Sequence, residues 1–290
     1  MARFSERIGV AEQPTTLQVQ DVNDALRNSL WNLLYSLYEV EHHSYWQMVA
    51  EHVAQFFRKV PADELPSRTY DCRKWLKTYF ISLPWHEVYD FIEFMADNHL
   101  YMTRELRGYG PDYSYHRQNN DQVKAAFNRI LERELSAYRF VAGILSPISD
   151  QTEIQEITEA TDSSARAGLK GATEHIRTAL VLLGKKPDPD YRNSIKEAIS
   201  AVESIAKQIS GGKSKGLDAA LEALAQKSEL HGALKAGFKS LYGFSSDADG
   251  IRHAILDQPK VGFAEAKYMI VACSAFVNYL IQKADDAGLL

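Results

Sequence analysis

The stretch "RNSIKEAISAVESIAKQIS", residues 192–210, places Ile195, Ala198, Ile199, Val202, Ile205, Ala206 and Ile209 at steps of three and four. That spacing draws one apolar stripe along a helix and leaves Lys196, Ser200, Glu203 and Lys207 together on a polar flank. The helix has clear ends. Upstream, Pro187 and Pro189 in "KKPDPDY" remove backbone donors and restrict the residues before them; downstream, "GGKSKG" interrupts the pattern. The same beat recurs on both sides. "DVNDALRNSLWNLLYSLYEV" repeats Leu26, Leu30, Leu33, Leu34 and Leu37 with Asp24 as its expected cap. "PWHEVYDFIEFMADN" starts with Pro84 near its first turn. "NDQVKAAFNRILERELSAYRFVAGIL" reads as one long helix capped by Asn120, and "EIQEITEATDSSARAGLKGATEHIRTALVLLG" as helix with a break expected near Thr161–Ser164. No convincing alternation of strands interrupts them. The expected fold class is all-α.

Composition divides the chain near "LSPISDQ", residues 145–151. All four Trp lie at or before residue 85, whereas Ala and Ser rise afterwards. Two domains are expected, over residues 1–147 and 153–290. The chain carries a net charge of −5, about −4 from the first half and −1 from the second. That balance argues against a protein that coats nucleic acid nonspecifically, which needs many Lys and Arg against phosphates. Cys72 and Cys273 stand far apart in apolar surroundings, with no CxxC pair, which suits a reducing compartment. The start "MARFSERIGVAEQPTT" lacks an apolar signal core, and the longest uncharged apolar run, residues 268–281, is too short for a membrane span. A cytoplasmic protein with no membrane partner is expected.

Several features invite chemistry. "GGKSKG" is not a phosphate loop: the position five before its Gly-Lys is Lys207, within a helix, and no strand precedes it. His42, His43 and His52 lie out of register for a shared metal, so no metal and no cofactor are expected. "YGPDYSYHRQNND" mixes tyrosines with His116 and Arg117, suited either to stacking on RNA or to packing on its own domain. The sharpest feature is "YGFSSDADGIRHAILD", residues 242–257. Gly250 permits a tight turn, Asp247 or Asp249 can cap the helix that follows, and Arg252 and His253 fall in its first turn. A cation is the wrong sign for that helix end. A bound phosphate accounts for it, with Arg252 as a planar donor fork and His253 as a proton-transfer group. An ion pair of Arg252 with Asp247, Asp249 or Glu203 accounts for it as well.

Three segments, "YRNSIKEAISAVESIAKQISG", "KSLYGFSSDADGIRHAI" and "AKYMIVACSAFVNYLI", together resemble the C-terminal domain of AbiJ-type abortive-infection proteins, a branch of the HEPN superfamily. "FSERIG" with "DALRNSLWNLL" resembles one of the N-terminal domains found ahead of it. The resemblance implies an N-terminal helical sensing or regulatory domain followed by a HEPN-like bundle of four to five helices that pairs as a homodimer or higher even oligomer. It also implies a metal-independent endoribonuclease of prokaryotic antiviral defence, with RNA, tRNA among the candidates, as substrate and a phage trigger or partner defence protein as regulator. Arg252 and His253 are then catalytic, and Glu203, Lys196, Asn193 and Asp249 bind RNA or support them. One departure stands out: Asp257, Gln258 and Pro259 occupy the positions where such nucleases carry a histidine. His175 and His231 are alternative proton donors, and a bundle that binds RNA, a nucleotide or a partner protein without cutting is the alternative function.

Overall fold

A computed structural model describes residues 4, 17–40, 43–103, 119–185, 188–210, 221–222, 224–226, 231–246 and 261–290. Helices dominate, as the periodicity predicts, and the chain divides into two compact units, Met1–Leu145 and Ser146–Leu290.

The first unit contains α1 (Asp24–Tyr38), α2 (Trp46–His52), α3 (Thr69–Ser82), α4 (Trp85–Met102) and α5 (Asn120–Arg133). A π-helical segment, Val53–Arg58, continues α2. Apolar faces close around an aromatic centre, where Trp31 stacks on Trp46 at 5.4 Å and meets Phe80 at 5.9 Å. The caps differ from expectation by one residue. Asn23, not Asp24, accepts the amide of Leu26, and Asn119, not Asn120, forms the capping box with Gln122. Asn120 instead spans to the end of α4, accepting from the Leu100 amide and donating to the Asp97 carbonyl.

The long helix expected over 120–145 stops at Arg133. Leu135 takes a left-handed φ of 55°, its amide reaches the Glu132 carbonyl, and the Ser136 amide reaches that of Leu131. This is a Schellman termination built on leucine, where glycine is the usual residue. Surrounding bonds hold it: Gln18 pairs with the backbone on both sides of the turn, and Asn128 clamps both polar backbone groups of Phe140. The chain then reverses through β3 (Arg139–Val141) and β4 (Ile144–Ser146), with Ala142 and Gly143 both at positive φ, as a two-residue hairpin turn demands. An earlier ribbon pairs β1 (Glu39–Val40) with β2 (His43–Ser44) antiparallel. Among the described residues, strand is confined to these short ribbons.

The second unit is built from α6 (Gln151–Arg166), α7 (Lys170–Gly184), α8 (Tyr191–Ile209), α9 (Gly232–Ser246) and α10 (Phe263–Asp286). α6 packs on α7, α7 on α8, α8 on α10, and α10 back on α6, which closes a four-helix ring; α9 touches α8. The break before α7 falls at Ala167–Leu169, not at Thr161–Ser164. Gly168, at φ 72°, supplies the left-handed residue that a second Schellman turn needs. Thr161 and Ser164 are instead buried helical positions. All seven apolar residues of the α8 stripe are buried. Among the described residues, no helix is long and apolar enough to cross a membrane.

Candidate functional site

α8 carries the described part of the expected site. It begins at Asp190, whose Oδ1 accepts the backbone amide of Asn193 at 3.1 Å and whose Oδ2 accepts Asn193 Nδ2 at 2.8 Å. The Asn193 side-chain bond is the main reason the Asp190 carboxyl lies below the usual range, opposed by partial burial and aided by the Asn193 backbone bond and by Lys185 and Arg192. Asn193 is therefore exposed and committed to the helix start. Lys196, Glu203 and Lys207 are exposed, and Ser200 is half-exposed, on the flank beside the buried stripe. With Arg192 this face holds three cations and one carboxylate, a local sign opposite to that of the whole chain. It is a surface able to track a phosphate backbone.

α7 adds an imidazole beside that face. His175 Nδ1 lies 2.6 Å from Glu197 Oε2, with the side chains 38% and 26% exposed, so the carboxylate fixes one ring nitrogen and leaves the other ring edge toward the outside. Close approach of the two helices makes the pair possible. Ser194 donates to the Ala179 carbonyl at 2.8 Å, and a Cβ added at Gly171 would lie 2.9 Å from Ser204 Oγ. Sequence reasoning named His175 and missed Glu197, because the two are 22 residues apart and no spacing rule spans two helices. A histidine and a glutamate on the flanks of consecutive helices joined through a proline loop were the signal available.

Arg252, His253 and Asp249 lie outside the described residues, as do His116 and Arg117. The helices that bracket the first three are described. α9 ends at Ser246, α10 starts at Phe263, and Phe238 stacks on Phe276 with ring centroids 3.5 Å apart. A groove of about 620 Å³ runs between them, lined by Leu234, Phe238 and Leu241 from α9 and by Glu265, Tyr268 and Met269 from α10. His231 is drawn into structure, its Nδ1 accepting the Ala233 amide at the start of α9. His52 is a buried histidine: Asn98 Oδ1 bonds its Nε2 at 3.1 Å, and Phe56, Phe94 and Tyr101 surround the ring. Among the described residues, no three His, Cys, Asp or Glu side chains gather to hold a metal. Neither thiol suits nucleophilic work, since both are buried; burial pushes Cys273 up to about 12 and is the largest reason Cys72 is raised.

No curated protein and no solved structure matches the chain. The model of one family does, that of AbiJ N-terminal domain 4, over residues 2–163, which takes in the whole first unit and most of α6. The match covers more than half of the sequence, and the chain belongs to the AbiJ N-terminal domain 4 family.

Proposed function

We propose that this protein is an effector of prokaryotic abortive infection in which the first unit senses or regulates and the second, a HEPN-type bundle, cuts RNA without a metal. Membership in the AbiJ N-terminal domain 4 family supplies the defence context. The observation that carries the nuclease is the sequence "DGIRHAI", residues 249–255, between α9 and α10, the helix that closes the four-helix ring. In the proposed reaction the ribose 2′-hydroxyl loses its proton and attacks the adjacent phosphorus, and the 5′-oxygen of the next nucleotide leaves with a proton. The products are a 2′,3′-cyclic phosphate and a 5′-hydroxyl. His253 moves a proton and Arg252 stabilises charge on the phosphoryl oxygens. Lys196 and the cations beside it on α8 hold the backbone, with Asn193, Glu203 and Asp249 in support. A homodimer or higher even assembly would bring two such sites together.

Asp257, Gln258 and Pro259 favour a second reading, a bundle that binds RNA, a nucleotide or a partner protein without cutting. One assay separates the two. Wild type, Arg252→Ala and His253→Ala are incubated with total RNA, tRNA included, in excess EDTA, and the product ends are mapped. Cleavage by wild type alone, leaving cyclic phosphate ends, is the expected result. Equal cleavage by all three moves the site elsewhere, and tight RNA binding without cleavage selects the binding bundle.

A further inference from the structure

A second site stands in the first unit, independent of the bundle. Arg58 closes the π-helical segment, and its guanidinium lies 4.8 Å from the ring centre of Trp75 and 4.2 Å from that of Tyr79. Trp75 and Tyr79 are one turn apart on α3 and share an orientation, 23° between their planes, so the guanidinium rests on a continuous aromatic floor. Packing of this kind fixes the plane of the donor fork and leaves its N–H edge to bind something else. Among the described residues, no carboxylate pairs with Arg58 or with Lys74. Arg73 on the same helix provides the contrast. It too lies over two rings, Tyr35 and Tyr70, but Glu39 Oε2 stands 3.5 Å from its Nη1 and answers its charge.

Arg58 lines a concavity of about 450 Å³ together with Asp71, Lys74, Trp75, Thr78 and Tyr79. The volume is that of a small-molecule site. Two cations with no carboxylate partner among the described residues, beside the Thr78 hydroxyl, suit a phosphate. A single carboxylate suits sugar hydroxyls, and flat rings capped by a guanidinium suit the face of a base. We propose that this concavity binds a nucleoside phosphate, with Lys74 and the N–H edge of Arg58 on the phosphate and the base stacked on the outer face of the guanidinium, above the Trp75–Tyr79 floor. The proposal needs neither Arg252 nor RNA cleavage.

The test is calorimetric titration of the full chain with AMP, adenosine, inorganic phosphate and a 5′-phosphorylated ribo-oligonucleotide. AMP is expected to bind, and adenosine, which lacks the phosphate, to bind about tenfold or more weakly. Arg58→Gln is expected to weaken AMP by a similar factor, and Arg58→Lys, which keeps the charge and loses the fork, to recover only part of it. Arg73→Gln and Arg252→Ala should leave AMP affinity at the wild-type value. Tighter binding of the oligonucleotide than of AMP would identify an RNA end as the source of the same phosphate-and-base chemistry. The proposal is overturned if neither AMP nor the oligonucleotide binds wild type, if adenosine matches AMP, or if wild type, Arg58→Gln and Arg58→Lys bind AMP equally.

Discussion

Ile205 lies toward the C-terminal end of α8, fully buried, on a helix that packs against α7 and α10. Replacing it by alanine removes three carbons from a closed core. At about 0.8 kcal/mol for each buried methylene, the transfer loss is about 2.4 kcal/mol. The cavity left behind adds to this, and the sum falls at about 3 kcal/mol, inside the range measured for such truncations. A unit of this size unfolds in urea with a slope of about 1.5 to 2 kcal/mol per molar, so its midpoint should fall by about 1.5 to 2 M. Tryptophan distribution makes the effect easy to localise. All four Trp belong to the first unit, so their fluorescence reports that unit alone, whereas far-ultraviolet circular dichroism reports helices of both. Ile205→Ala should lower the dichroism transition of the second unit while the fluorescence midpoint stays in place. A fluorescence midpoint that falls as far as the dichroism one would refute separate cores. An unchanged dichroism curve would refute the burial of Ile205.

Two further perturbations test local physics. Glu93 accepts the Leu145 amide at 2.8 Å, and burial is the main cause raising its carboxyl above the ordinary range, partly offset by that amide and by Lys124. Because the folded form holds its proton more tightly than the unfolded form, this group's contribution to stability is fullest below pH 4.5 and is lost as pH climbs through the higher folded value. Glu93→Gln should therefore be most favourable relative to wild type near neutrality, with its advantage shrinking on acidification; urea curves across pH that run parallel would overturn the assignment. At Gly171, alanine gains about 1 kcal/mol of helix propensity but forces its Cβ against Ser204 Oγ, so Gly171→Ala should destabilise. Adding Ser204→Ala should restore or exceed wild-type stability, and strictly additive effects in the double-mutant cycle would show that the two residues do not touch.

Sequence periodicity revealed α8 because every position of its stripe obeys one rule and the whole stripe is buried. The same rule overran α5. Leu135 and Phe140 continue a helical beat, yet Leu135 adopts a left-handed backbone, Phe140 enters a strand, and Asn128 and Gln18 supply the bonds that fix the reversal. Local pattern carries no record of a partner that arrives from residue 18. The candidate sites divide in the same way. Lys196, Glu203 and Lys207 could be assigned to one exposed face from spacing alone. The pairing of His175 with Glu197 depends on how two helices are aligned. Arg58 on Trp75 and Tyr79 joins residues 17 and 21 positions apart, so a local motif could have offered only the Trp75–Tyr79 pair and the adjacent Lys74.

The edge of the family match and the edge of the first unit fall at different places, and the difference has a physical meaning. The match runs to residue 163, whereas the first unit closes at Leu145. Most of the interval is α6, an amphipathic helix whose Ile154, Ile157 and Ala160 are buried. Its polar groups are also taken up within the second unit, with Lys267 of α10 on Glu153 and Asn278 of α10 on Glu156. An isolated helix of this length is marginal in water and depends on tertiary packing for most of its stability. The matched segment therefore ends on a helix that finds its apolar partners, α7 and α10, only further along the chain. Sequence similarity marks what is shared among relatives, whereas burial marks what can fold. In this chain α6 belongs to the first by its sequence and to the bundle by its packing, which joins the defence-associated segment to the proposed effector through a helix that the bundle needs to close its ring.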